Sequence, residues 1–219
     1  MILAIYGAAS GGLELRRIAE EMQKNGTYCW EEIIYIDDYV DEIRGEKVYK
    51  LDELTSKYDV GKVVANISIG EPAIRERIYS RLKESNIQLV NLIHPTVYVD
   101  ELASIGVGIA AFENCYFGPG SNVGDNTMFQ HKVVVGHDAK IGNHSMIGSC
   151  CNIAGYSSLG DRVFTGFLSG VRDHTKVGSD VIIAPGAIVF HDVEDNVVIV
   201  GNPARVSKRN EEKKVYKNV

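Results

Sequence analysis

From Ile105 to Val189 an apolar residue returns at nearly every sixth position, through Phe117, Val123, Phe129, Val135, Ile141, Ile147 and Ile153, and no insertion breaks the phase. Glycine often follows directly, as at Gly118, Gly136, Gly142 and Gly160, and a small residue such as Ser121, Ala139, Cys151 or Ser157 comes four positions after the apolar one. A period of six matches neither an α-helix nor a plain amphipathic strand. It matches short strands joined by tight turns that coil about a common axis, three to a coil of about 18 residues. The large side chain fills the prism, the small one fits beside the corner, and glycine serves a positive φ or a close approach of backbones. With coils stacked at the usual spacing of about 4.8 Å, the run predicts about five of them.

The first ninety residues follow another rhythm. Met1–Tyr6 reads as a buried strand, and Gly7-Ala-Ala-Ser-Gly-Gly12 leads into a helix with Leu15, Ile18, Ala19 and Met22 on one face and Asn25-Gly26 as its stop. Further strands are expected at 33–36, 62–67 and 87–92, with a second helix opening at Glu71-Pro72. Alternating strands and helices predict a small parallel α/β sheet, whose ligands sit beyond the carboxyl ends of the strands. The glycine loop and Asp37-Asp38 lie there. Backbone N–H groups at a helix start suit a phosphate, and a carboxylate suits a ribose or base. The spacing is G-x-x-x-G-G rather than the dinucleotide pattern G-x-G-x-x-G, and a tight strand-to-helix turn also accounts for it.

Composition narrows the field. A net charge of −6 over 219 residues argues against nucleic-acid binding, and no apolar run is long enough for a membrane span. No basic leader is apparent, so a cytoplasmic protein is expected. The four cysteines lack C-x-x-C spacing and read as reduced and mostly structural. Cations gather late, at Arg205, Lys208, Arg209, Lys213, Lys214 and Lys217, as a solvated terminus or an anion contact.

Taken together, Ile5-Tyr-Gly-Ala-Ala-Ser-Gly-Gly, Ile36-Asp-Asp, Ile69-Gly-Glu-Pro-Ala-Ile-Arg75, Ile93-His-Pro-Thr, Val135-Gly-His-Asp and Val200-Gly-Asn-Pro-Ala204 resemble the sialic acid O-acetyltransferase and nucleotide-sugar N-acetyltransferase family of hexapeptide-repeat acyltransferases. That resemblance implies a Rossmann-like nucleotide-sugar-binding domain over residues 1–93. It implies a left-handed parallel β-helix acyltransferase domain with a C-terminal tail over 94–219. It implies a homotrimer that binds acetyl-CoA in grooves between neighbouring β-helices and acts on a nucleotide-linked amino sugar, with no metal. One departure is Gly11-Gly12, where the family often has His-Gly.

The resemblance also assigns roles. His137 is the general base, Asp138 orients it, and Gly155, one coil of 18 residues further on, offers its N–H to the oxyanion and lies against the acetyl-CoA. Gly201, Asn202, Pro203, Arg205 and Lys208 mark the CoA end of the groove. Gly7, Ser10, Gly11, Asp37 and Asp38 are the nucleotide contacts; His131, six residues before His137 and so on another face of the coil, is read from its phase as a further substrate contact that a neighbouring subunit would meet in a trimer. The chemistry needs such a base, because an amino sugar is largely an ammonium near neutral pH and cannot attack a thioester until it loses a proton. Cys151 falls at the small inward position and reads as core, which favours direct transfer. Three alternatives stay open: O-acetylation of sialic acid or a related sugar, a zinc site built from His131, His137 and His144, and a non-catalytic trimeric binding module.

Overall fold

A computed structural model describes residues 1–216. In the front part, β1 (Ile2–Tyr6), α1 (Ser10–Lys24), β2 (Glu32–Ile36), β3 (Glu42–Ile43), β4 (Glu46–Tyr49), α2 (Leu51–Lys57), β5 (Val63–Ile67), α3 (Pro72–Glu84) and β6 (Gln88–Leu89) follow in order. The sheet runs β3-β4-β2-β1-β5-β6 and is parallel apart from the β3–β4 hairpin. Leu15, Ile18, Ala19 and Met22 are buried on α1 as their spacing requires, and proline starts α3. The β3–β4 hairpin and α2 have no counterpart in the sequence reading, since strands of two and four residues and a helix of seven carry too little periodicity to read.

The strand expected at 87–92 is in fact two. Gln88–Leu89 pairs with β5, whereas Leu92–Ile93 pairs with Ala110–Ala111 and opens the first coil of the prism. Asn91 makes the break, donating from its side chain to Gly106 O and accepting from Ile109 N. The prism therefore begins at Leu92, and its interior phase extends back through Val99 and Ile93.

Two-residue strands stack in three parallel sheets. The first face holds strands at 92, 110, 128, 146, 164 and 182, the second those at 98, 116, 134, 152, 170 and 188, and the third those at 104, 122, 140, 158 and 176. Phe117 and Phe129 meet edge to face at 4.8 Å inside, with Ile147, Ile153 and Ile183 fully buried above them. In the coils, the glycines that directly follow the inward apolar residues, such as Gly118 and Gly136, do not carry the positive φ, which falls two positions later and only at Gly108, Gly120 and Gly186 on glycine. Elsewhere it falls on residues such as Asp138 (56°), His144 (59°), Cys150 (59°) and Tyr156 (59°), at a cost on the order of 1 kcal/mol each. Stacking hydrogen bonds offset this, such as Asp138 N to Pro119 O at 2.9 Å and Tyr156 N to His137 O at 3.0 Å. Glycine is needed for close approach instead. A Cβ on Gly136 would stand 2.7 Å from Gly155 N, and one on Gly118 would stand 3.0 Å from His137 N.

The three faces meet different surroundings. On the first, the outward Leu92, Ala110 and Met128 are buried in one cluster with Leu3, Leu15 and Ile18, so the front domain lies on it. The third presents Ser104, Asn122, Lys140 and Lys176 to solvent. Between them, the second face exposes Tyr98, Tyr116 and Val134, with the two tyrosine rings stacked at 5.3 Å. At the top of the prism, Val197–Val200 extends the first face and turns at Gly201–Ala204 into the antiparallel strand Arg205–Arg209.

Arg75 of α3 locks the two parts together. It is fully buried, and its guanidinium donates five hydrogen bonds of 2.8–3.0 Å: to the carbonyls of Ile67 and Ile69, twice to Asn126 O, and to Asn126 Oδ1. Burial pushes the group down to about 9, which still leaves it charged at neutral pH, and the carbonyl acceptors favour the cation. Beside it Arg162 bridges Glu76 (2.9 Å) and Asp180 (2.8 Å), and Lys213 also reaches Asp180 (3.0 Å).

Replacing Arg75 by Met leaves at least four carbonyl-side acceptors without donors and is expected to cost about 3–5 kcal/mol in chemical denaturation. A loss under about 1 kcal/mol would show that Arg75 does not hold the seam. Burial works against ionisation of Asp180, but Arg162 and Lys213 outweigh it and keep the carboxyl below its ordinary range. Its stabilisation is present above the unfolded value near about 3.9 and lost as pH falls through the lower folded one. Asp180→Asn should therefore flatten the acid limb of the stability curve and leave its slope above about pH 5 unchanged.

Candidate active site

At the carboxyl edge of the front sheet the chain turns sharply after β1. Gly7 adopts φ +109°, where a Cβ would stand 2.4 Å from Ser68 Oγ, and a Cβ on Gly12 would stand 2.2 Å from Gly7 O. Gly11 is less constrained, with Ser68 O at 3.0 Å from the Cβ position. Among the described residues no side chain caps α1, and no acid occupies its first turn, so the helix presents bare N–H groups beside Ser10 and Gly11. Such an end favours an anion.

Both neighbouring carboxylates are already engaged. Asp37 accepts from Ala8 N (2.9 Å) and Tyr39 N (2.9 Å), which fixes the loop. Asp38 accepts from the Tyr6 hydroxyl (2.8 Å) and pairs with Arg81, which also donates to Tyr6 Oη at 2.9 Å. Burial opposes the Asp38 charge, but the Arg81 guanidinium and the Tyr6 hydroxyl hold its carboxyl below the ordinary range. Burial and the Asp38 charge push the Tyr6 hydroxyl up. Tyr6, Ser68 and Arg81 went unnoticed in the sequence, since they lie on three separate elements with no shared spacing.

A second cluster occupies the corner between the second and third faces. His137 Nδ1 lies 3.0 Å from Asp138 Oδ2, and the imidazole is half exposed. One coil on, Gly155 sits against the ring, and a Cβ there would come within 2.6 Å of His137 Nε2. Among the described residues, nothing accepts from Gly155 N–H. Tyr156 meets the His137 ring edge to face at 4.9 Å and stacks on His174 at 4.8 Å. The 18-residue step from His137 to Gly155 is thus a physical contact. The Tyr156 and His174 rings that extend the column had given no signal in the sequence.

The remaining candidates lie elsewhere. His131 stands at the corner between the first and second faces, 3.0 Å from Glu113 and against Phe112 at 5.0 Å. Gly201, Asn202 and Pro203 form the exposed turn above that corner, where Ile188 N donates to Gly201 O at 3.0 Å. Lys208, Arg209 and Lys214 line a cleft of about 690 Å³ on the first face with Glu211 and Glu212. Arg205 borders a separate hollow with His191. Lys217 lies outside the described residues.

His144 belongs to the third corner, buried between Asn126 (3.0 Å) and the Tyr79 ring (5.0 Å), where burial holds its pKa down. One chain therefore does not assemble His131, His137 and His144. Among the described residues no group of three or more His, Cys, Asp or Glu is placed to hold a metal. Cys151 is core, packed against Ser169 Oγ at 3.2 Å.

Two family models match the chain: the PglD N-terminal domain over residues 2–82 and the bacterial transferase hexapeptide (six repeats) over residues 120–155. Among solved structures, the acetyltransferase domain of PglB from Neisseria gonorrhoeae is 25% identical, with 94% of this chain and 98% of that one covered and a TM-score of 0.86. PerB from Caulobacter crescentus, in complex with CoA and GDP-perosamine, is 23% identical, with 95% and 98% covered and a TM-score of 0.85, and shows the shared fold. A UDP-N-acetylglucosamine O-acyltransferase from Burkholderia thailandensis is 27% identical over 84 residues, 38% of this chain. The chain spans about a third of the length of that curated relative, at 32%. The two matches fall on the two parts of the fold, a PglD-type N-terminal domain on the front sheet and bacterial transferase hexapeptide repeats on the middle coils of the prism.

Proposed function

We propose that the protein is an acetyl-CoA-dependent N-acetyltransferase acting on the amino group of a nucleotide-linked, UDP-type amino-dideoxy sugar, by direct transfer. The observation that carries this reading is the stack of His137 on Gly155, with Asp138 on the other ring nitrogen. Asp138 accepts from Nδ1–H, which leaves the Nε2 lone pair free to take a proton. The acceptor attacks as the neutral amine, its ammonium proton having passed to solvent, and His137 takes the next proton from that nitrogen as it adds to the thioester carbonyl. Gly155 N–H stabilises the resulting oxyanion, and collapse of the tetrahedral intermediate expels the CoA thiolate, which the imidazolium protonates.

The same reading makes the site one between copies. The glycine loop belongs to the domain covering the first face, whereas His137 stands at the corner farthest from that face. The exposed tyrosines of the second face fit a symmetric contact of three copies, in contrast to the lysine-bearing third face. Around a threefold axis facing the second sheets, the His137 corner of one chain meets the His131 corner of the next. Nucleotide loop, His131 and the Gly201–Pro203 turn would then come from one chain, and His137, Asp138 and Gly155 from its neighbour. PerB and the PglB domain, solved with CoA or acetyl-CoA, support the co-substrate.

CoA release from acetyl-CoA should be seen with a UDP-linked amino-deoxy sugar in a panel that includes dTDP- and GDP-linked sugars and free sialic acid. His137→Ala should lower kcat by at least about a hundredfold. Turnover untouched by that change would remove His137 as base, and turnover on sialic acid alone would move the reaction to oxygen. Gly155→Ala places a methyl 2.6 Å from Nε2 and should depress kcat about as strongly, with an unchanged circular dichroism spectrum.

A further inference from the structure

The C-terminal segment after Asn210 does not hang free. Asn210 is held at the third corner by Asp180 O (2.9 Å) and Asn196 O (2.8 Å), and Lys213 by Asp180. From there its described residues cross the first face and reach the front domain at Val215 and Tyr216. The Glu71 carboxylate, 4% exposed, accepts from Val215 N (3.0 Å) and Tyr216 N (3.1 Å), and all its described side-chain hydrogen bonds run to this strap. Glu71 is the N-cap of α3 and follows Ser68-Ile69-Gly70, the segment packed on the Gly7 loop. The Tyr216 ring stands edge-on to Phe164 at 5.8 Å, and its hydroxyl lies 3.8 Å from the Cβ position of Gly70.

Under the strap lies a cleft of about 420 Å³ lined by Gln130, Met146, Ser149, Phe164, Phe167 and Tyr216, among others. At one end its Tyr216 wall stands beside Gly70, two residues beyond the Ser68 that packs on the Gly7 loop. The other follows the corner between the first and second faces, where Ser149 stands one coil above His131. That corner is the one a neighbouring His137 would approach. The lining is mainly apolar and uncharged, with Gln130, Ser149, Thr165 and the Tyr216 hydroxyl as polar points, which suits the apolar face of a deoxy sugar more than a flexible charged chain.

We propose that the strap is part of the acceptor site, with Val215 and Tyr216, pinned by Glu71, forming the wall that holds the sugar between the nucleotide loop and the transfer corner. This rests on the nucleotide-sugar reading above. Tyr216 is then a specificity-determining residue and Glu71 a positioning residue. The ring supplies the contact, so removing it weakens the sugar while leaving the nucleotide and acetyl-CoA untouched.

Titration of UDP and of a UDP-linked amino-deoxy sugar into wild type, Tyr216→Ala, Tyr216→Phe and Glu71→Gln, together with steady-state kinetics, tests it. Tyr216→Ala should raise KM for the acceptor about five- to tenfold, with KM for acetyl-CoA and Kd for UDP unchanged. Tyr216→Phe should keep most of the affinity, and Glu71→Gln should fall between the two. An acceptor KM unchanged in Tyr216→Ala would overturn the proposal alone, as would an equal loss of UDP affinity. A folded wild type that binds no nucleotide sugar would overturn the functional reading and this inference with it.

Discussion

A buried guanidinium with no carboxylate partner among the described residues sets the geometry of this molecule. Arg75 spends all five of its donors on carbonyl-side oxygens of two structural units, the end of β5 and the corner at Asn126. Each N–H of a buried charge must be satisfied, so the two units have one low-energy arrangement rather than a hinge. The front domain is thereby fixed on the first face of the prism. That leaves the second face and both of its corners open for a neighbour.

The prism adds a second constraint, which is its ruler. Side chains 18 residues apart stack, so a corner becomes a column whose chemistry can be set rung by rung. At one corner, Asp125, Asn143 and Asp161 pass side-chain bonds down the column to the backbone of the rung below, at 2.7–3.0 Å. At another, the same spacing sets His137 on a bare glycine whose amide, among the described residues, has no acceptor. A side chain at Gly155 would occupy the place of the imidazole, so only glycine leaves the His137 ring its position on the column.

Much of this was legible in the residues. The six-residue period gave the coil, its inward residues and the His137–Gly155 stack, because a helical repeat turns sequence distance directly into contact. Glycine was legible only in part: close approach of neighbouring rungs governs Gly118 and Gly136, while Asp138 and Tyr156 carry the positive φ. The Arg75–Asn126 bonds span 51 positions and the Glu71–Tyr216 bond 145, between elements with unrelated periods. Nothing local announces such pairs. Asp38 shows the limit most plainly, since its place at a strand end was readable and its capture by Tyr6 and Arg81 was not.

The central claim is that the nucleotide loop and the base that act together come from different chains. Subunit complementation tests it most directly. One variant is His137→Ala, and the other is Ser10→Glu, which sets a carboxylate at the bare start of α1 to repel phosphate without disturbing the helix. Each should be inactive alone as a folded oligomer. Co-refolded, the two should regain CoA release, because a mixed oligomer contains an interface with an intact loop from one chain and an intact His137 from its neighbour. Mixed oligomers that form and stay inactive would contradict the account and return the whole site to a single chain.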